Sequence, residues 1–401
     1  MHPNTPPVGP TPDPPLLTPA FLRLVSGHFL QAVGYSSMML MPIYASFLGA
    51  SRTEVGTLMA ISSVGGLLLR PFAGWALDAV GRKLILMVST LILALGMGLI
   101  AFATEMGPTI YVARLLTGIG AGTLFAAYFT WVSDLIPAAR RTEGIALFGI
   151  SGLLPLVVNP VAELVGVHAP GLRWFFPGLG ILVLLSLLPV AGLKEAPRPR
   201  LPEANDQPWA RALTARTLWP VWWTTVVFAG GVAVFNAFAT VTAEHRGVQA
   251  PAMLWFGYAG AAVCVRLFGP RLPARLGPYN FITPALGAYG AAFLVAAAAE
   301  STGGFILAGA FAGFGHGYCF PVLTAQVVDR TPQRLRGAAL AVFTALWEAA
   351  AIAQTPLFGA LADRTDDATM LAAAALVAVV GLVGWVILER PVRLAARLKT
   401  Q

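Results

Sequence analysis

Charged residues are scarce in this sequence. Asp, Glu, Lys and Arg make up 11% of its 401 residues, whereas soluble globular domains carry about 25% charged residues. Apolar residues reach 57%, and the mean hydropathy is +0.73. These values exclude a soluble globular domain and indicate a protein that crosses a membrane many times.

Motifs for catalysis and nucleotide binding are also missing. The two cysteines, Cys264 and Cys319, both lie in apolar stretches, so neither a disulfide nor a metal site is predicted. The sequence has no Gly-x-x-x-x-Gly-Lys-Ser/Thr loop, which argues against ATP as the energy source. Its polar loops hold no nucleophile paired with His and Asp, so an enzyme is not predicted. Basic residues do not alternate with aromatic residues, so the sequence predicts no nucleic-acid partner. No cofactor is predicted either.

What the sequence has instead is twelve apolar runs. Crossing about 30 Å of hydrocarbon takes about 20 residues, and only helices satisfy every backbone group there. The predicted fold is therefore all-α, with twelve transmembrane helices. The runs cover 20–47, 54–77, 84–104, 108–133, 143–166, 173–193, 217–241, 252–272, 279–299, 303–328, 337–362 and 368–389.

The chain divides into two similar halves. Arg, Phe and Gly occur at one spacing at positions 70, 72 and 81, and again at 266, 268 and 277; Asp134 and Pro137 recur as Asp329 and Pro332. This pattern predicts an internal duplication. The predicted domains are a disordered tail (1–19, proline-rich and unlike a signal peptide), a six-helix bundle (20–193), a linker (194–216), a second bundle (217–390) and a tail (391–401).

Basic residues concentrate on the side of the membrane that carries both chain ends. The other side keeps only Arg52, Arg173, Arg246 and Arg364, while Arg114 lies inside a helix. Because cytoplasmic loops collect Lys and Arg, both termini are predicted to be cytoplasmic, in a multi-pass protein of the cell (inner) membrane.

The loop after the second helix carries a specific motif. Gly74, Asp78, Gly81, Arg82 and Lys83 match, position by position, a loop signature of the major facilitator superfamily. The chain resembles that family from about residue 20 to 390. The resemblance implies the major facilitator fold, in which two pseudo-symmetric six-helix bundles hold a solute between them at mid-membrane, and it is nearest to the drug and sugar efflux branch.

Two further family signatures lie on helices four and five. Arg114, followed by Gly118, Gly120 and Gly122, resembles the first. The second, an antiporter signature, is only partly present around Gly152 to Pro160, where the chain departs from the family pattern.

A gate is predicted where the motif loop faces the next cytoplasmic loop. A carboxylate at a helix end can bind a neighbouring helix N-terminus and pair with bases. Setting topology is an equally good explanation for Arg82 and Lys83. The predicted gating residues, including their counterparts in the second half, are Arg70, Gly74, Asp78, Gly81, Arg82, Lys83, Asp134, Arg141, Asp329 and Arg336.

Two residues within the apolar runs are candidates for proton coupling. Glu348 is the first, because low dielectric favours the neutral form of a carboxylate. His316 is the second. A structural hydrogen bond is the alternative for Glu348, and a close approach of helices at neighbouring glycines is the alternative for His316. Glu163, near the outer end of helix five, is interpreted as a rim residue.

The family resemblance implies that helices one, four, seven and ten line a central cavity. His28, Gln31 and Tyr35 share one face of helix one. Mixed aromatic and hydrogen-bonding walls with a fixed cation suit an organic solute of moderate size. The predicted substrate-binding residues are His28, Gln31, Tyr35, Arg114, Tyr128, Trp131, Asn236, His316 and Tyr318, with Phe235 and Phe320 beside them.

The sequence therefore predicts a secondary active transporter of a small organic solute, working by alternating access and favouring proton-coupled efflux. Its predicted partners are the solute, protons and the lipid bilayer, and the protein is predicted to be a monomer. The first alternative is proton-coupled uptake, or facilitated transport, of an organic anion or a sugar. An alternative of another class is a solute sensor that does not transport.

Overall fold

The described residues form twelve long helical segments. The computed structural model describes residues 15–137, 140–195, 208–268, 277 and 279–398. Three segments are interrupted: α1 (Pro19–Ser36, a 3-10 turn Ser37–Leu40, then Met41–Phe47), α5 (Arg141–Leu153, a 3-10 turn Leu154–Val157, then Val158–Leu164) and α6 (Leu172–Leu185, then Leu187–Ala191). The others are α2 Arg52–Ala79, α3 Arg82–Leu99, α4 Pro108–Leu135, α7 Trp219–His245, α8 Leu254–Phe268, α9 Tyr279–Ala298, α10 Thr302–Asp329, α11 Arg336–Arg364 and α12 Asp367–Leu398.

The hydropathy of these helices is uneven. Within the described residues, ten segments are long and apolar enough to cross a membrane, and they correspond to α3 through α12. The first two helices are more polar, since α1 carries His28 and Gln31 and α2 begins with Arg52 and Glu54. The all-α membrane fold is confirmed, and no strand occurs in the described part of the chain.

Helix ends differ from the predicted runs where chemistry other than hydropathy decides. Ser51 caps α2 in a capping box: its hydroxyl accepts from the Glu54 N–H at 3.2 Å, and the Glu54 carboxylate accepts from the Ser51 N–H at 2.8 Å. Gly81, between α2 and α3, has a φ of +132°, which favours glycine. The last helix continues past its predicted end at 389 to Leu398, and a short helix, Pro208–Thr214, lies in the predicted linker.

The two halves repeat one packing pattern. In the first half, α4 packs on α2 and α3, and α6 packs on α1 and α3; in the second half, α10 packs on α8 and α9, and α12 packs on α7 and α9. The halves meet along two helix pairs, α2 with α11 and α5 with α8. These two pairs are also equivalent under the repeat.

Glycines allow the closest of these contacts. A Cβ at Gly118 of α4 would overlap the Ser62 carbonyl of α2, and one at Gly313 of α10 would overlap the Tyr258 carbonyl of α8. Between the halves, a Cβ at Gly56 of α2 would overlap the Thr355 carbonyl of α11. Small residues let backbones approach in this way within membranes.

The bundle has two opposite faces. The terminal face carries the described chain ends, residues 15 and 398. The distal face carries the connections at 48–51, 104–107, 165–171, 246–250, 299–301 and 365–366.

Candidate functional site

Arg52 is the centre of a charged network that joins the halves at the distal face. Its side chain is buried and donates from Nε and Nη2 to the two carboxylate oxygens of Asp367 on α12, both at 2.9 Å. It also contacts His245 at the end of α7 and donates to Ser46 of its own half at 3.3 Å. A bidentate Arg–carboxylate pair of this kind is among the stronger polar contacts in proteins.

Asp363 of α11 adds a second link at the same place. Its carboxylate accepts hydrogen bonds from the backbone N–H groups of Arg52 and Thr53, both at 2.8 Å, and from the Thr53 hydroxyl at 2.6 Å. The first turn of α2 therefore has an anion from the other half at its positive end. Opening the distal face would remove this partner.

The second contact between the halves, α5 with α8, is also bridged at the distal face. Glu163 accepts from the backbone N–H of Ala252 at 3.0 Å. The predicted position of Glu163 at the rim agrees with this contact. With links along both helix pairs, the structure is closed at its distal face.

Arg70 and Glu348 pair deeper between the halves. Nη2 of Arg70 on α2 lies 3.1 Å from Oε1 of Glu348 on α11, and the two side chains are 26% and 18% exposed. Ser63 also hydrogen-bonds to this carboxylate, and Gly66 leaves room for it. The facing helix therefore supplies a cation and a hydroxyl to this carboxylate.

His28 lies in a polar group inside the first half. Its Nδ1 is 2.7 Å from the Ser151 hydroxyl of α5, and its ring packs against Tyr128 and Phe148. The Tyr128 hydroxyl is directed towards Gly27 of α1 and towards α6. Tyr128 therefore fills the interior of the first bundle.

Arg114 is buried without a full set of partners. It is 2% exposed, and Nη2 donates to the Met59 sulfur at 3.5 Å, while Nε and Nη1 have no hydrogen-bond partner. Tyr35 of α1 lies close enough to interact electrostatically with the Arg114 guanidinium. No carboxylate among the described residues forms an ion pair with it. The structure thus brings together two predicted substrate-binding residues, Arg114 and Tyr35.

His316 lies in an aromatic group inside the second half. Its Nδ1 is hydrogen-bonded to the Tyr258 hydroxyl of α8, and its ring contacts Phe228 of α7, Phe320 and Trp347. The glycines on either side of His316 are also in contact with facing helices. The aromatic residues near it are in contact with facing helices as well. Tyr258 was not among the predicted residues. It lies on α8, the helix that corresponds to α2 in the internal repeat.

The remaining predicted substrate-binding residues are Tyr318, Gln31, Trp131 and Asn236. Tyr318 packs against Phe281 of α9 and Phe314, away from His316. Gln31 and Trp131 are buried, at 5% and 1% exposure. The amide oxygen of Asn236 is buried without a hydrogen-bond partner.

At the terminal face, two of the residues predicted to act as a gate pair within the first half. Nε of Arg82 lies 2.9 Å from the Asp134 carboxylate, and the Lys83 backbone N–H donates to Glu195 at 2.6 Å. In the second half, Asp329 and Arg336 are exposed. The surroundings of Gly74 and the side chains of Asp78 and Arg141 lie outside the described residues, so the contact predicted for them stays a prediction.

Asn159 explains one departure from the family pattern. Its amide donates to the Ser36 carbonyl at 3.1 Å and to the Leu156 carbonyl at 2.9 Å. These carbonyls lie where α1 and α5 are interrupted. Backbone groups freed at such breaks need partners inside a membrane.

Comparisons with known proteins agree with this architecture. A model of the Major Facilitator Superfamily matches residues 24–355. The uncharacterized MFS-type transporter YhhS of Escherichia coli (strain K12) is 25% identical over 92% of the chain and 93% of its own length. The multidrug resistance protein MdtL of Vibrio parahaemolyticus is 30% identical, over 39% of each protein. A mutant of the nucleoside transporter NupG superposes with a TM-score of 0.78 at 14% identity, covering 92% of this chain and 99% of that one.

Proposed function

Because the chain belongs to the Major Facilitator Superfamily, a family of membrane transporters and not of enzymes, we propose that it exports a small organic solute in exchange for protons by alternating access. The name of the partial relative MdtL, a multidrug resistance protein, supports export. We further propose that the terminal face is cytoplasmic. The closed distal face is then the external gate.

The Arg70–Glu348 pair is the observation that carries the proton coupling. It joins α2 to α11, and therefore one half to the other. Neutralising Glu348 with a proton would remove the charge attraction to Arg70, while a hydrogen bond to Ser63 remains available. Proton binding thereby weakens a link that must change when the halves move.

Transport by purified protein in liposomes tests this function. The solute panel is ethidium, benzoate and glucose, which are cationic, anionic and neutral. Exchange of solute for protons accumulates the solute when the liposome interior is acidic, whereas symport accumulates it when the exterior is acidic. Binding without flux under either gradient would favour the sensor and overturn the transporter proposal.

Glu348→Gln tests the coupling. Gln mimics the protonated form, so this variant should still exchange labelled solute across the membrane but fail to accumulate it against a pH gradient. Glu300→Gln, on an exposed distal loop, is the matched control and should accumulate solute normally. Full gradient-driven accumulation by Glu348→Gln would remove Glu348 from the mechanism and leave His316 to be tested.

A further inference from the structure

Two arginines related by the internal repeat have different surroundings. Arg70 on α2 is paired with Glu348 of α11. Its repeat mate, Arg266 on α8, crosses to α5, where its Nη1 would lie 3.6 Å from a Cβ placed on Gly149. The Nε of Arg266 is buried without a hydrogen-bond partner. Among the described residues, no carboxylate forms an ion pair with Arg266.

The repeat explains the difference. The offset that relates Arg70 to Arg266 also relates Gly152 to Glu348. The first half therefore has a glycine where the second half has the carboxylate. A Cβ on Gly152 would meet only the Cε1 atom of His28, at 3.3 Å, and a Cβ on Gly149 would meet only Arg266. Among the described residues, the α5–α8 contact thus leaves room at Gly149, beside a guanidinium that has no ion-pair partner.

Hydrogen-bonding groups from both halves surround this space. His28 is held by Ser151 from the first half. His316 of the second half interacts electrostatically with Arg266 and is hydrogen-bonded to the Tyr258 hydroxyl. A guanidinium shielded from water without a counter-ion is unfavourable, and its planar fork matches a carboxylate in a bidentate arrangement.

We propose that Arg266 binds the carboxylate of an organic anion between α5 and α8, beside His28 and His316. This inference rests on the proposed function and names the substrate class, because it makes the solute an organic carboxylate. The bound carboxylate lies beside Arg266 of α8 in the same way as the Glu348 carboxylate lies beside Arg70 of α2. It also contacts both halves, so its binding depends on how they are arranged.

Equilibrium binding of radiolabelled benzoate to the purified full-length protein tests the proposal. Benzamide and benzylamine have the same ring with a neutral and a cationic substituent, and neither should displace benzoate. Arg266→Gln should weaken benzoate binding about 10- to 100-fold, the range expected for losing hydrogen bonds to a charged group. Arg266→Lys keeps the charge without the fork and should bind with intermediate affinity.

Two substitutions of Gly149 separate charge from shape. Gly149→Glu should place a carboxylate beside Arg266 and weaken benzoate binding as strongly as Arg266→Gln. Gly149→Gln fills nearly the same volume without the charge, so it measures the loss of affinity caused by filling the space, and it should bind benzoate more tightly than Gly149→Glu. The proposal is wrong if the parent does not bind benzoate, if the two Gly149 variants lose equal affinity, or if Arg266→Gln binds as the parent does.

Flux measurements on the same proteins distinguish this inference from the proposed function. Ethidium flux that is unchanged in Arg266→Gln, with no benzoate binding by the parent, would overturn the carboxylate site and keep the transporter. Arg266-dependent benzoate binding with no flux of any solute in the panel would keep the site and overturn the transporter.

Discussion

Removing Arg52 should open the distal face. Arg52→Gln deletes the two 2.9 Å bonds to Asp367 and leaves that carboxylate, 14% exposed, without its cation. Breaking a buried pair costs about 3–5 kcal/mol. We take the lower end, about 3 kcal/mol, since the network lies at the edge of the protein; this shifts the ratio of distally closed to distally open protein roughly 150-fold.

Spin labels on the two halves measure this shift. Cysteines introduced at Glu105 and Glu300, both exposed on the distal face, report the distance between the halves by pulsed EPR after Cys264 and Cys319 have been replaced. The parent should give one short distance, and Arg52→Gln should add a longer component. Arg364→Gln, an exposed arginine on the same face, is the control. Identical distance distributions in the parent and in both variants would refute the reasoning.

Two further outcomes follow from buried groups. Gly313→Ala places a Cβ against a carbonyl of the facing helix and should markedly lower the melting temperature. Gly260→Ala, with open space at its Cβ, is the control and should stay within about 1 °C of the parent. Equal melting temperatures of the two variants would contradict the close approach. Arg114→Met removes a buried cation that has no carboxylate partner among the described residues, so it should keep or raise the melting temperature. The same variant should abolish solute flux. Retained flux would exclude Arg114 from the substrate-binding site.

Much of the fold could be predicted because the membrane imposes simple rules. Long apolar runs must be helices, and the Gly81 motif marked the turn between α2 and α3. The helix ends were less predictable, since hydropathy does not register a capping box such as that of Ser51 and Glu54. It also does not register a helix that continues as a more polar segment, as α12 does to Leu398.

The site could be predicted only in part. Arg70 and Glu348 were both singled out, but they lie 278 residues apart, and nothing in either segment says that they meet. The network around Arg52 was missed because an arginine at a loop is a topology signal in the sequence. That no carboxylate of the described residues pairs with Arg266 is visible only when the repeat is placed on the structure.

The contact between Gly56 and the Thr355 backbone has a mechanical consequence. The two backbones are in direct contact there, and the Thr355 hydroxyl donates to the Gly56 carbonyl at 2.8 Å, so the helices are held close at this point. While the distal face stays closed, any movement of α2 relative to α11 is a rotation about this contact. At 1.5 Å per residue, α2 extends roughly 35 Å from Gly56 to its end at Ala79. A tilt of about 10° therefore moves the terminal end of this lever by about 6 Å, the width of a small aromatic ring.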